Sequence, residues 1–453
     1  MAQALRPPPD EAPPDERPPA DAAVRDLIVR RPGGARYWVA VAVCGLLALG
    51  GVAGLVVLAL GGAEPRAKWG YAAGTLAFLL STAQAAPTLA FVSRLGRGFW
   101  GIPLRRTADL LALAGLVSAP LMILLLWQLP DWRGRPSIWL DWPGAPLLWD
   151  SIAIVLLAVL GLALVWAVAR PDRAVARDLA RRDGGPAGRW WGSLRQWAVQ
   201  NAGIVALGAL YAVLFVFVNL LVSSDLAMSL VPAWASPNIP PYHAVSAFQG
   251  GIAVVIVVAA ALRHFGGLGA YLPRYAFHAA AKLLFSLSLL FFYFTWAEFL
   301  TYWYGRTPDE LWLLGLLMFG SYAGLFYVSF LLNFVLPLVL LIWNPIRGSI
   351  AGATWVAALV LVGNLADRLR MYVAAWQVAG PVGPRPAALP APRFPDLVDA
   401  LIVVGLPAAA VLLYLLALRW APAISLWEYR WDRLLRVERE YLKARVTVIG
   451  KPS

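Results

Sequence analysis

The amino-acid sequence predicts an all-α integral membrane protein: a helical bundle of about ten spans with both termini cytoplasmic. Three observations carry this. The chain of 453 residues is 60% hydrophobic and only 14% charged, whereas soluble domains sit near one half apolar and one quarter charged. Its apolar residues gather in runs of about 20 or more, long enough to cross the hydrocarbon core. Its basic residues stand mainly at the ends of those runs and favour alternate connections.

In chain order, residues 1–34 read as a Pro-rich, charged cytoplasmic tail with almost nothing to bury, so disorder is expected there. The tail does not read as a signal peptide, because the apolar stretch begins too late and runs too long. Spans are expected at about 37–62, 70–94, 108–129, 148–169, 197–223, 242–263, 278–303, 312–342, 349–378 and 397–419. The run 312–342 is kept as one tilted span, since Asn333 and Pro337 supply no hydrophilic turn. Residues 421–453, which contain ISLWEYRWDRLLRVEREYLKARV from Ile424, read as a basic amphipathic helix on the inner leaflet.

Alternating the connections puts Arg25, Arg30, Arg31, Arg36, Arg94, Arg97, Arg105, Arg106, Arg170, Arg173, Arg177, Arg181, Arg182, Arg189, Arg195, Arg263, Arg274 and Arg347 on one side, with the basic C-terminus. The other side holds Arg66, Lys68, Arg133, Arg135, Arg306, Arg385 and Arg393. An excess of roughly fourfold makes the first side cytoplasmic, and an odd number of spans would mix the two sets. The outer connections 130–147 and 231–242 are rich in Trp, Pro and Tyr. That composition suits an interfacial belt, or a stiff docking surface for a partner.

Composition also excludes. The net charge of +13 follows from positive-inside topology, and no nucleic-acid partner is inferred. Cys44 is the single cysteine, which rules out an internal disulfide framework or a cysteine-bound cluster. His243, His264 and His278 are the three histidines; they argue against a membrane b-type haem, which needs paired axial ligands at matching depth. No metal-ligand spacing, P-loop or dinucleotide fingerprint is present; GGLGAY at 266–271 is a turn between spans.

Ionisable residues inside spans are costly and point to function. Asp150, Asp225, Glu298, Asp367, Arg368 and Arg370 fall in the outer half, and Asp109, His278 and Lys282 near the inner ends. Asp367 and Arg368 are adjacent, point about 100° apart on a helix, and are expected to pair with other spans. Asp150 and Asp225 also suit interfacial caps. Glu298 sits about one turn inside the boundary with no cap to provide.

Several segments resemble one family. WAEFLTYWYGRTPDE (296–310), PLLWDSIAI (146–154), SSDLAMSLVPAW followed by NIPPY (223–242), LRRTADLL (104–111) and VGNLADRLRMY (362–372) occur in matching order and spacing. Over about residues 37–420 the chain resembles the NrfD-like, or polysulfide-reductase membrane-subunit, family. It looks most like the quinol-interacting subunits of alternative complex III, a bacterial quinol:electron-acceptor oxidoreductase.

The resemblance implies a multi-pass subunit of the bacterial inner (cytoplasmic) membrane. It would bind menaquinol or ubiquinol in the outer half and pass electrons to an iron–sulfur or molybdoenzyme-like subunit on the periplasmic face, beside other membrane subunits and the lipid bilayer. Asp225, Asp150 and Arg368 fall on family positions, and Asp109 and Asp367 fall where the family usually has glutamate. The sequence departs from the family at its histidines: Ala85 stands at one position within QAAPT (84–88), LLLWQLPDW (124–132) lacks a second, and Asn219 replaces a third. The quinone set is then Asp225, Tyr242, Asn219, Glu298, Arg368 and Gln84. The proton-path set is Asp109, Asp150, Glu298, Asp367, Lys282 and His278. The alternative is an anchor and proton-path subunit with a degenerate quinone site. A solute transporter would show Gly/Pro-interrupted helices repeated in two halves, and none is legible.

Overall fold

The computed structural model describes residues 26–27, 32–96, 98–130, 142–180, 193–232, 234–378, 386–441 and 444–449. The expected tail, the outer connection at 131–141 and Arg97, Arg133, Arg135 and Arg385 lie wholly or largely outside them. Among the described residues ten helices are long and apolar enough to cross a membrane: Ala35–Leu60, Arg66–Leu95, Phe99–Trp127, Leu147–Ala176, Leu194–Leu230, Ile239–Phe265, Arg274–Gly305, Ala323–Leu341, Ile350–Gln377 and Leu397–Ala417. They are called spans 1 to 10. The near face is where span 1 begins and span 10 ends; the far face is opposite.

Span 2 is the hub and span 1 the rim: 78% of the apolar window of span 2 is buried against 22% for span 1. Span 2 packs along span 9, span 6 against spans 7 and 9, and span 1 against span 10. Small residues set these approaches, as expected where lipid gives helices no hydrophobic drive to associate. A methyl on Gly405 would stand 2.5 Å from Gly51 Cα, and one on Gly250 in span 6 would collide with the Ser81 carbonyl oxygen in span 2.

Span 2 is interrupted where the sequence reading runs one helix. Helix Gly70–Ser81 stops at Thr82 and restarts as Ala86–Leu95. The cause is Pro87, which has no N–H and whose ring excludes the carbonyl of Ala83. Unwound backbone at this depth must be satisfied by protein. The Tyr211 hydroxyl lies 2.8 Å from the Gln84 carbonyl oxygen and 2.9 Å from its Oε1, while Gln84 Nε2 donates to Ser118 Oγ at 2.5 Å.

The run expected as one span at 312–342 also breaks. Pro308–Leu314 and a wide turn Gly315–Phe319 form a separate far-face piece, and the span proper is Ala323–Leu341. Gly320 ends the first piece at φ −124°, ψ −110°, outside the helical region, and a Cβ there would stand 2.8 Å from Leu389. Interrupted helices thus occur in both halves of the chain, contrary to the sequence reading. Both breaks are filled with protein.

Two prolines leave their mark on neighbouring spans. Pro171 cannot donate to the Ala167 carbonyl one turn back, and Gln200 of span 5 does so instead at 2.5 Å. Pro337 likewise frees the Asn333 carbonyl, which accepts from Gln249 of span 6 at 2.7 Å.

The termini correct two expectations. Leu27 is buried and Asp26 accepts from the Tyr271 hydroxyl at 2.8 Å, so the end of the tail is docked. The C-terminal segment is helical only over Leu426–Leu435, then forms an antiparallel hairpin of Arg436–Tyr441 with Ala444–Ile449. Its helix does not lie free on the surface, because Glu428 enters the bundle and is 2% exposed.

Candidate functional site

The far half holds a buried polar network spanning spans 2, 5, 6 and 9. Its centre is His243, fully buried in the first turn of span 6. His243 Nδ1 is 2.9 Å from Asn219 Oδ1 in span 5, and Nε2 is 3.0 Å from the Tyr372 hydroxyl in span 9. Arg368 lies against it, donating to the His243 carbonyl at 3.1 Å, to Ser81 Oγ at 2.7 Å and to Ser246 Oγ at 2.5 Å. The break in span 2 and the close approach at Gly250 are what let the guanidinium reach Ser81.

Asp367 pairs with its neighbour after all. Its carboxylate is 3.4 Å from Arg368 NH1 and 2.8 Å from Arg370 NH2. The expectation of pairing only with other spans fails because an arginine side chain is long enough to fold back along its own helix. Arg370 continues outward, donating to the Leu317 carbonyl at 3.0 Å.

Arg370 also forms one wall of an apolar cleft between spans 6, 7 and 9 and the far-face piece. Glu298, Tyr242, Tyr302, Trp234, Met318 and Met371 line it. Glu298 Oε2 accepts from Ser236 Oγ at 2.7 Å and Asn238 Nδ2 at 3.0 Å. Glu298 Oε1, the hydroxyls of Tyr242 and Tyr302, Trp234 Nε1 and Arg370 Nε are buried without a completed hydrogen bond. The Tyr302 hydroxyl faces Glu298, and that of Tyr242 faces Asp367 and Arg370. The free volume, about 20 Å³, is room for about one water molecule.

The remaining residues sort elsewhere. Asp150 and Asp225 face one another within hydrogen-bond reach. Neither lines the cleft. Gln84 has both ends of its amide engaged in closing the span 2 break, so its quinone assignment is corrected to a structural one. Asn219 is taken up by His243 and by the Phe215 carbonyl, to which Nδ2 donates at 2.8 Å. Asp109 is held by Arg94 through two hydrogen bonds of 2.9 and 2.5 Å. Lys282 is exposed on the outside of the bundle, and His278 is half-buried among Lys282, Arg347 and Arg274. The proton path inferred through these two therefore does not connect inward.

Near the near face, Arg94 and Arg105 both reach Glu428, at 3.2 and 3.3 Å, and Arg106 pairs with Asp172. Burial alone would raise the Glu428 pKa, but Arg94 and Arg105 outweigh it and hold the carboxyl below its usual range.

His243 is the residue the sequence reading missed, having considered it only as a haem ligand. The signal was present: a histidine one position after NIPPY, inside the first turn of a span. The fold and site define a ten-span helical membrane protein with a buried polar far half. No family model matches the chain, and no curated protein matches it.

Proposed function

We propose that this chain is the quinol-binding membrane subunit of a respiratory oxidoreductase of the alternative complex III kind, with the headgroup received at the Glu298 cleft. The supporting observation is the cleft itself: Glu298, Tyr242, Tyr302, Trp234 and Arg370 turn polar atoms towards one small space between apolar walls, the convergence that marks ligand pockets. In this reading Glu298 takes a proton from the quinol hydroxyl and Tyr242 or Arg370 holds the opposite oxygen. Met318 moves aside, since a ring needs more than the volume of one water. Electrons leave to an iron–sulfur partner on the far face, which corresponds to the periplasm by the arginine distribution.

One observation favours a second reading. The cleft admits water more readily than a ring, and it continues through Arg370 and Asp367 into the His243 network. That arrangement suits a proton path in an anchoring subunit whose quinone site is degenerate. A transporter reading gains nothing from the interrupted helices, because protein groups meet their backbone: Tyr211 at Gln84 in span 2 and Arg370 at the Leu317 carbonyl in the far-face piece.

Quenching of a fluorescent quinol analogue by the purified complex separates the two. Quinol binding at the cleft predicts saturable binding that is lost in Glu298→Gln and Met318→Trp and retained in Asp225→Asn. Binding unchanged in all of these variants places the quinone site outside this chain and leaves the proton path.

A further inference from the structure

A groove of about 400 Å³ runs between spans 4 and 5 from the near face towards mid-membrane, far larger than the Glu298 cleft. Its mouth carries Arg170 and Arg195, and its walls include Trp166, Gln200, Gly203 and Leu207. From Ser193 to Leu207 the helix rises about 21 Å, which is the reach of a lipid tail rather than of a small solute.

The groove is polar at one end only. Arg170 lies over the Trp166 ring, 5.5 Å from its centroid, which holds the guanidinium at the rim. Arg195 is exposed and, among the described residues, has no carboxylate partner. Deeper in, the amide of Gln200 is spent on the Ala167 carbonyl that Pro171 leaves free, so the floor asks for no further hydrogen bond there. A Cβ on Gly203 would meet nothing within 4 Å.

We infer that this groove is a binding site for an anionic diacyl phospholipid, its phosphate on Arg170 and Arg195 and one acyl chain along Gly203 and Leu207. Basic pockets between helices at a membrane face have the chemistry for such headgroups. Apolar walls alone would take any lipid; the arginines select the anionic one.

The test is native mass spectrometry of the full chain released from micelles holding phosphatidylglycerol and phosphatidylcholine in equal amounts. Selective retention of phosphatidylglycerol is expected. The Arg170→Gln/Arg195→Gln variant should weaken it by about thirtyfold, at the worth of one surface arginine each, with phosphatidylcholine unaffected. Gly203→Phe fills an open position without touching either arginine and should remove the adduct. Inorganic phosphate at matched concentration should not compete. Equal retention of the two lipids, indifference to Gly203→Phe, or full competition by phosphate would each overturn the inference. The last two outcomes indicate, respectively, a groove covered by the chain itself and a simple anion site.

Discussion

At the near face Asp109 meets Arg94 in a two-bonded fork and Glu428 meets Arg94 and Arg105. In the far half Glu298 meets a serine hydroxyl, an asparagine amide and the Tyr302 hydroxyl, and Asp150 meets a second carboxyl. The same residue type is thus buried in two ways. Where each carboxylate has a guanidinium, the charge is balanced and the group fixes helices together. Where the partner is neutral or itself acidic, no guanidinium is committed to the carboxylate, and the group is available for chemistry. Between them stands the Arg368 network, where one carboxylate, Asp367, answers two guanidinium groups, two residues from the cleft wall.

Breaking the Arg368 centre should cost most. Arg368→Leu strands the Ser81 and Ser246 hydroxyls and removes one of the two partners of Asp367. Loss of a partner from a buried pair costs about 3–5 kcal/mol, so a collapsed yield or a sharply lowered thermal midpoint in detergent is expected. A midpoint near wild type would mean that the network carries little of the stability.

Gln84→Ala should come next, at about 1–3 kcal/mol for the groups it leaves unsatisfied. Quinol-analogue binding should survive in the fraction that folds, because the amide is spent on Tyr211 and Ser118. Loss of binding with stability intact would return Gln84 to the quinone set.

Glu428 gives a pH test of the near face. Its pKa is lowered in the folded chain from the usual 4.5. Its contribution is therefore complete above about 4.5 and is lost as pH falls through the lower folded value. Limited proteolysis should find the segment after Ala421 protected at neutral pH and cut progressively below that range. Glu428→Gln should expose it already at pH 7.

Lys282→Gln should change least, within about 0.5 kcal/mol of wild type, with proton uptake unaltered. A clear loss of uptake would reconnect Lys282 to the interior and blur the contrast between the two ends.

The fold was legible where long apolar runs and arginine alternation speak directly: each of the ten spans overlaps its expected range. What the sequence concealed was satisfaction. Nothing local says whether Gln84 faces a substrate or a broken helix; that depends on Tyr211, which lies 127 residues away in the chain. Asp109 and Glu428 lie on segments whose contact is decided by the return of the C-terminus. Spacing could place Asp367 and Arg368 on a helix, but it missed the backward reach of arginine. His243 was readable in principle, since a histidine inside an apolar span is rare enough to ask about on its own.

The two proline–glutamine contacts bear on how the bundle finds its alignment. Pro171 and Pro337 each leave one carbonyl that hydrocarbon cannot solvate, and Gln200 and Gln249 answer them from neighbouring helices. If either pair of helices slid by a single turn, the carbonyl would face lipid and the amide would lose its acceptor. Each pair therefore acts as a detent, a notch and pawl that engage at one height only. Helices that otherwise glide over one another on small residues are stopped at the depth where Arg368 can find Ser81.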